Sequence, residues 1–364
     1  PMLWSIWKNI GYDYLRGNYR SINFILLSLI SMVVLISLNI YFIVFLGIGV
    51  MGIFISTLIN AVIVTFILIV PLMIRIGPRF SLHKVKDMLS FGVPLIGSQL
   101  GGFAVHVSDR FFLKAYSSIA ATGIYSLGYK FGTLPSMFIS TPFNQVWLPR
   151  RMELYKQQGS EELFGRIFTY FLLVITFIGL CISVMTREIL MIIADQRYWE
   201  AYKIVPIIVL ANTIFTFHYH FNIGLLIEKK TRDLAVINIS NAALIIVLNF
   251  IMIPRFGMYG AAYATLLAFI YKVVVTYYLS NRYYKIHFET IRILKIVGCS
   301  VAIFIFCISI EIANLFLSIA IKTISLCTFP LILYLAGFFS TKERMVIQSF
   351  IQQKQNTFFG NNNI

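Results

Sequence analysis

Charge is scarce in this sequence. Of 364 residues only 14 are acidic and 30 basic, so charged residues make up 12% of the chain against 59% hydrophobic, with a mean hydropathy of +0.83. Soluble domains carry roughly 25% charge and about 45–50% apolar residues. So few charges cannot cover a globule of this size, which excludes a soluble enzyme and a disordered segment alike. Cysteine is rare too. Cys181, Cys299, Cys307 and Cys327 all lie in apolar runs, form no CxxC pair and have no histidines at zinc spacing. They read as thiols of lipid-embedded helices, and the sequence asks for no metal and no cofactor. There is no phosphate-cradling GxxxxGK[ST], no nucleophile GxSxG and no DxD pair. No loop is long enough to be a catalytic domain, so the chain reads as a transporter rather than an enzyme, and ATP-driven transport would need another subunit. Pro1 to Arg20 lacks the pattern of a signal peptide. The opening on Pro1 rather than methionine reads as the start of a fragment.

What is present is length in apolar runs. A spanning helix needs about 20 mostly apolar residues, and ten stretches qualify: Ile22–Phe45, Gly49–Ile74, Phe91–Tyr116, Thr122–Leu148, Ile167–Met185, Ile204–Ile227, Leu234–Ile253, Gly257–Leu279, Ile293–Ile310 and Leu315–Phe339. The runs are too long, and alternate too little, for the strands of a membrane barrel. The expected fold is all-α, a polytopic bundle of about ten transmembrane helices. Pro94, Pro135, Pro142 and Pro330 are expected to kink the helices that carry them.

Lysine and arginine alternate along the chain. One set of alternate segments, including both ends, holds 21 of the 30, and the opposite set holds only Arg187, Arg197, Lys203 and Arg255. The other five, Arg110, Lys114, Lys130, Lys272 and Lys322, fall inside spans. By the positive-inside rule the rich set is cytoplasmic, with both ends. The net charge of +16 is then mostly topology, and a nucleic-acid partner is unnecessary. Among the outer loops only Arg187–Lys203 has any length, and its three bases and three acids cancel.

The chain also repeats itself. Asn9-Ile10-Gly11, Asn23, Leu38-Asn39, Gly49-x-x-Gly52 and Thr57-Leu58 recur in order as Asn222-Ile223-Gly224, Asn238, Leu248-Asn249, Gly257-x-x-Gly260 and Thr265-Leu266. Small residues three apart allow close helix approach, and the shared order signals an internal duplication of the kind found in transporters.

Further motifs accompany the second copy: Phe91-Gly92-Val93-Pro94, Asp109-Arg110-Phe111-Phe112-Leu113, Gly123-Ile124-Tyr125-Ser126, Tyr129-Lys130 and Pro254-x-x-Gly257-x-x-Gly260-Ala261-Ala262. On these the sequence resembles the polysaccharide-biosynthesis branch of the multidrug/oligosaccharidyl-lipid/polysaccharide exporter superfamily, and most of all its Wzx-type O-antigen flippases. The resemblance covers roughly residues 5–340. It implies an inverted-V transporter of two six-helix bundles with two extra helices. Residues 1–90 would be the remnant of a truncated first bundle and a linker, 91–280 the second bundle, and 281–364 the extra helices and tail. It further implies flipping of undecaprenyl-diphosphate-linked oligosaccharide units across the bacterial cytoplasmic (inner) membrane, for O-antigen, capsule or exopolysaccharide, by alternating access. Membrane lipids, a coupling H+ or Na+ and polymerase or chain-length proteins are the partners so implied. A cation-coupled drug antiporter of the same superfamily is the alternative, with a membrane polymerase or ligase as one of another class.

Charges inside a membrane are functional candidates by default. Asp109 is the only carboxylate well inside a span, whereas Glu188 and Glu311 sit at ends. With Arg110 it reads either as an ion pair holding adjacent helices or as a gate or coupling-ion site. Gln99, His106 and Arg110 share one helical face, and Lys130, Thr141 and Asn144 are expected to share another. Lys130 lies about nine residues, roughly 13 Å, from the outer end, too deep to snorkel comfortably outward. By the resemblance, a basic residue after the corresponding tyrosine lines the cavity of lipid II flippases. Asn212, Thr216, Tyr219 and His220, with Asn238, Asn241 and Asn249, suit sugar hydroxyls or serve as interhelical glue. Lys272 and Lys322 are expected to snorkel or to face the groove of the extra helices. Arg150 and Arg151 read as topology anchors or as contacts for an entering pyrophosphate.

Overall fold

The structure is a computed structural model that describes residues 2–17, 21–77, 81–310, 314–339 and 343. Among them the regular structure is all helical, and no strand occurs. Six helices are long and apolar enough to cross a membrane, or seven when a bent pair counts as one span. All ten apolar stretches of the sequence nevertheless lie on helices. Two of them are the arms of Thr231–Ser280, a helical stretch broken at Gly257, and others are interrupted or carry charge. Large apolar side chains such as Phe45, Ile74, Phe316 and Leu335 stand exposed on helix surfaces, as they should where the solvent is lipid.

The chain divides into two units, Pro1–Phe91 and Gly92–Ile364, with the boundary inside one helix. In the first unit α1 (Met2–Gly17), α2 (Ser21–Ile40, continued by a π turn at Tyr41–Phe45) and α3 (Val50–Ile76) pack together. Polar ties cross this apolar packing: Ser31 and Asn60 bond at 3.0 Å between α2 and α3, and Thr65 Oγ1 donates to the Trp4 carbonyl at 3.1 Å.

The second unit holds α4 (Leu82–Tyr116, from Gly92 on), α5 (Ile119–Pro135), a π turn (Ser136–Ser140), α6 (Thr141–Leu154) and α7 (Ser160–Ile193). A 3-10 turn (Gln196–Lys203) leads to α8 (Val205–Phe221), α9 (Ile223–Ile227), the long α10 (Thr231–Ser280), α11 (Thr290–Ser309) and α12 (Leu315–Leu335). Asp195 caps the 3-10 turn, and its hydrogen bonds from Arg197 hold the carboxyl below the usual carboxylate range. Helix α8 lies against α5, α7 and α10. Helices α11 and α12 pack on α7 through a stripe that includes Ile296, Cys299, Ile303 and Cys307. That stripe has helical spacing, which accounts for two of the four thiols as packing. All four cysteines are free.

The repeated motifs adopt the same backbone. Gly49 has φ 61° and ψ −136°, and Gly257 has φ 54° and ψ −129°, a region closed to residues with a Cβ. Each breaks an apolar run so that the chain folds back as a helical hairpin. Three residues on, a Cβ at Gly52 would meet Phe42, and one at Gly260 would meet the Met252 backbone. Thr57 and Thr265 then donate to the carbonyls of Ile53 and Ala261, four residues back in each arm. The duplication read in the sequence is thus a duplicated hairpin.

Candidate functional site

Asp109 is 1% exposed inside the second unit. A carboxylate there must be compensated, because burying an unpaired charge is costly. Its Oδ1 accepts from the Arg110 backbone N–H at 2.8 Å and from Arg110 Nη1 at 3.1 Å, and its Oδ2 accepts from the Tyr125 hydroxyl at 2.6 Å. The Arg110 guanidinium lies 4.6 Å from the Tyr129 ring centroid and 5.9 Å from that of Tyr125. Tyr125 and Tyr129 are four residues apart, hence on one face of α5. Leu113, Ile204, Ile208, Ile253 and Ala261 seal the cluster. The ion pair closes within α4 itself, and the link between helices is the Tyr125 hydroxyl. Neither tyrosine was singled out as a partner from sequence. The available signal was two tyrosines at i and i+4, one short turn after a membrane-embedded acid.

Lys130 follows Tyr129, about 100° further around α5, and is exposed, with no carboxylate partner among the described residues. Asn144 does not share its face, contrary to expectation. Asn144 is 7% exposed, donates to Ser140 Oγ at 3.0 Å and leaves Oδ1 without a partner. The π turn at Ser136–Ser140 is the physical cause, since one extra residue per turn moves every later side chain around the helix by about 100°. Such π bulges concentrate at functional sites. The side chains of Gln99 and His106 lie outside the described residues.

Farther along α8, Asn212 is buried and donates to the Ile208 carbonyl of its own helix at 2.9 Å. His220, also buried, sits among the rings of Phe143, Phe168 and Phe171, with Nε2 unpartnered. Asn249 ties α10 to α4 through Ser108 at 3.1 Å. A group of buried bases converges on the same end of α8. Arg151 from α6 is 2% exposed and donates to the Tyr219 carbonyl, whereas its neighbour Arg150 is exposed and paired with Glu153. Lys272 does not snorkel: it is 8% exposed, with Nζ 4.6 Å from the Phe215 ring centroid. His218 lies within electrostatic reach of both bases, and its Nδ1 has no partner.

Two other expectations are corrected together. Glu188 is not an end residue balancing the outer loop, and Lys322 does not snorkel but lines a polar cavity beside Cys307 and Ile308 of the accessory helix α11. Both are buried, and Lys322 Nζ donates to Glu188 Oε1 and to the Val184 carbonyl, with Ser318 Oγ donating to Glu188 Oε1 at 2.7 Å. The pair pins α12 to α7. Only tertiary packing could reveal it, because 134 residues separate the partners.

The comparisons with known proteins bear on this geometry. The model of the polysaccharide biosynthesis protein family matches residues 9–202, more than half of the chain. The chain belongs to that family. The matched segment contains Asp109, Arg110, Tyr125, Tyr129, Lys130 and Glu188, and it ends before α8. A curated relative, an uncharacterized membrane protein of Methanocaldococcus jannaschii designated MJ1068, is 22% identical over 210 residues; the match covers 54% of this chain and 40% of the relative's length. Among solved structures the fold is similar to lipid II flippase MurJ in its inward closed conformation, with a TM-score of 0.73 and 17% identity, over 92% of this chain and 72% of that one. This family member is therefore a multi-pass membrane protein with a fold similar to that of MurJ.

Proposed function

We propose that the chain is part of a flippase that moves undecaprenyl-diphosphate-linked oligosaccharide units across the bacterial cytoplasmic membrane. The family match over residues 9–202 carries the reading, because it ties a transporter fold to polysaccharide synthesis. In this reading the first unit closes one six-helix bundle, the second unit forms another, and α11 and α12 are accessory. The segments rich in lysine and arginine face the cytoplasm, together with both ends.

The headgroup is a diphosphate with sugars, and bringing it into a membrane protein requires positive charge to offset its desolvation. Lys130 is the contact this proposal assigns to it. The side chain is exposed and without a carboxylate partner among the described residues, and it sits one residue beyond Tyr129 in the Asp109–Arg110–Tyr125 lock. Arg110 and Asp109 position that turn of α5. Gln99, His106, Asn144, Asn212 and His220 complete the polar lining assigned to the path. Rocking of the bundles would exchange access between the two sides, with a gradient of H+ or Na+, or consumption of the product outside, supplying direction. The test is export of lipid-linked polysaccharide by full-length protein in a strain lacking its own flippase. Lys130→Ala should abolish export at normal expression, with partial rescue by Lys130→Arg. Wild-type export by Lys130→Ala would overturn the assignment.

A further inference from the structure

The segment Arg187–Lys203, the last turns of α7 followed by the 3-10 turn, is balanced in sequence but not in space. Its three acids are Glu188, Asp195 and Glu200. Glu188 is engaged with Lys322, Asp195 with Arg197, and Glu200 with Lys203. Arg187 is left with no carboxylate and no hydrogen-bond acceptor among the described residues, its guanidinium lying 5.8 Å from the centroid of the Tyr202 ring. It lines a polar cavity of 160 Å³ together with Ser183, Tyr202, Lys203 and Lys322. Lys322 uses two of its three N–H donors on Glu188 and Val184, so one remains. Three cationic side chains and two hydroxyls therefore converge on a space of about five water volumes. That space suits a phosphate group and is too small for a sugar chain.

This cavity does not stand alone. Ser183 and Pro206 also line a second cavity of 480 Å³ that runs along α7, α8 and α11. The second cavity is apolar, walled by Leu180, Val209, Phe217, Val301 and Phe304 among others. A cationic pocket for one phosphate, sharing the wall residues Ser183 and Pro206 with an apolar channel, has the polarity of an amphiphile. Arg187 supplies the surplus charge that favours an anionic headgroup over a zwitterionic one.

We propose that this pair of cavities holds an anionic phospholipid, its phosphate against Arg187, Lys203 and Lys322 and an acyl chain along the α7–α8–α11 channel. In the orientation given above the lipid belongs to the outer leaflet. It braces the accessory helices α11 and α12 against α7, and it lies apart from the Asp109 lock and Lys130. The site does not depend on which headgroup is transported.

The test uses the full-length protein in detergent, with lipid retention read by native mass spectrometry. The probes are dioleoylphosphatidylglycerol, dioleoylphosphatidylcholine, inorganic phosphate and undecaprenyl phosphate. The expected result is retention of phosphatidylglycerol over phosphatidylcholine by about tenfold, the equivalent of one charge-assisted hydrogen bond. Arg187→Gln should bring the two lipids to parity without changing the melting temperature. Val301→Trp, which fills the channel from its exposed side, should reduce retention of both. Parity in the wild type, or an unchanged preference in Arg187→Gln, would overturn the headgroup assignment. Displacement of phosphatidylglycerol by equimolar inorganic phosphate would overturn the acyl channel. Displacement by lower concentrations of undecaprenyl phosphate would make this a site for product lipid and refute the phospholipid. Loss of export in Lys130→Ala with lipid retention intact would separate this proposal from the flippase reading.

Discussion

The Tyr125 hydroxyl can be removed with little other change, which makes Tyr125→Phe the most informative perturbation of the lock. The ring is fully buried and keeps its packing against Tyr129, 5.9 Å away between centroids. What disappears is the 2.6 Å bond to Asp109 Oδ2, the only bond to that oxygen among the described residues. A hydrogen bond to a charged group is worth about 1.5–3 kcal/mol net in soluble proteins. In membranes the unfolded reference state also finds partners, and measured pairs average about 0.6 kcal/mol with a maximum near 1.7. Asp109 is paired with Arg110, buried and sealed by apolar side chains, which puts this bond at the top of the membrane range, about 1.5 kcal/mol. That is roughly a tenfold change in the unfolding equilibrium. The assay is reversible unfolding in mixed micelles titrated with dodecyl sulfate, run as a double-mutant cycle with Asp109→Ala. Once the carboxylate is gone the hydroxyl has lost its acceptor, so Tyr125→Phe should then cost nothing. A Tyr125→Phe effect that is the same in both backgrounds, within about 0.4 kcal/mol, would refute the reasoning.

Three further outcomes follow from the packing. Gly49→Ala and Gly257→Ala should each destabilise by about 1–3 kcal/mol in the same unfolding assay, because both place a Cβ in a backbone region reserved for glycine. Gly298→Ala is the control: that residue is helical, with open space around the added methyl, and should gain about 0.5–1 kcal/mol. Glu188→Leu or Lys322→Met alone should cost about 3–5 kcal/mol by leaving a buried charge unpaired, and the double variant Glu188→Leu/Lys322→Met should cost less than either single. Additive losses in the double variant would show that the two side chains do not act as a pair.

The sequence carries these features unequally, for physical reasons. Apolar length is a property of the chain itself, so every stretch long enough to span lies on a helix. The duplicated hairpin was legible because Gly49 and Gly257 occupy a conformation that no other residue tolerates, which leaves a trace at the same register in both copies. The Glu188–Lys322 pair left no such trace, since its partners meet only when α12 docks on α7. Facial arithmetic failed beyond Pro135, where Asn144 leaves the face of Lys130. A π turn costs one residue of register, and nothing in Ser136–Ser140 announces it apart from the prolines on either side.

That register slip has a consequence for the assignment of the path. The turn separates a segment of α5 whose inward face is Tyr125 and Tyr129 from a segment of α6 whose inward face is Asn144, Trp147 and Arg151. Without the extra residue Asn144 would follow Lys130 onto the exposed side. With it, Asn144 turns inward, Arg151 reaches the Tyr219 carbonyl, and Lys130 keeps an exposed face to itself. The bases of the second unit are thereby sorted by what satisfies them. Arg110 rests on a carboxylate and two rings, Lys322 on Glu188, Lys272 on Phe215 and Arg151 on a carbonyl. Lys130 has none of these among the described residues, so on the proposed path its exposed cation is available to an anionic headgroup. Deleting one residue from Ser136–Ser140 should rotate α6 back by about 100°, bury nothing at Lys130 and expose Asn144, so that export falls although Lys130 is untouched.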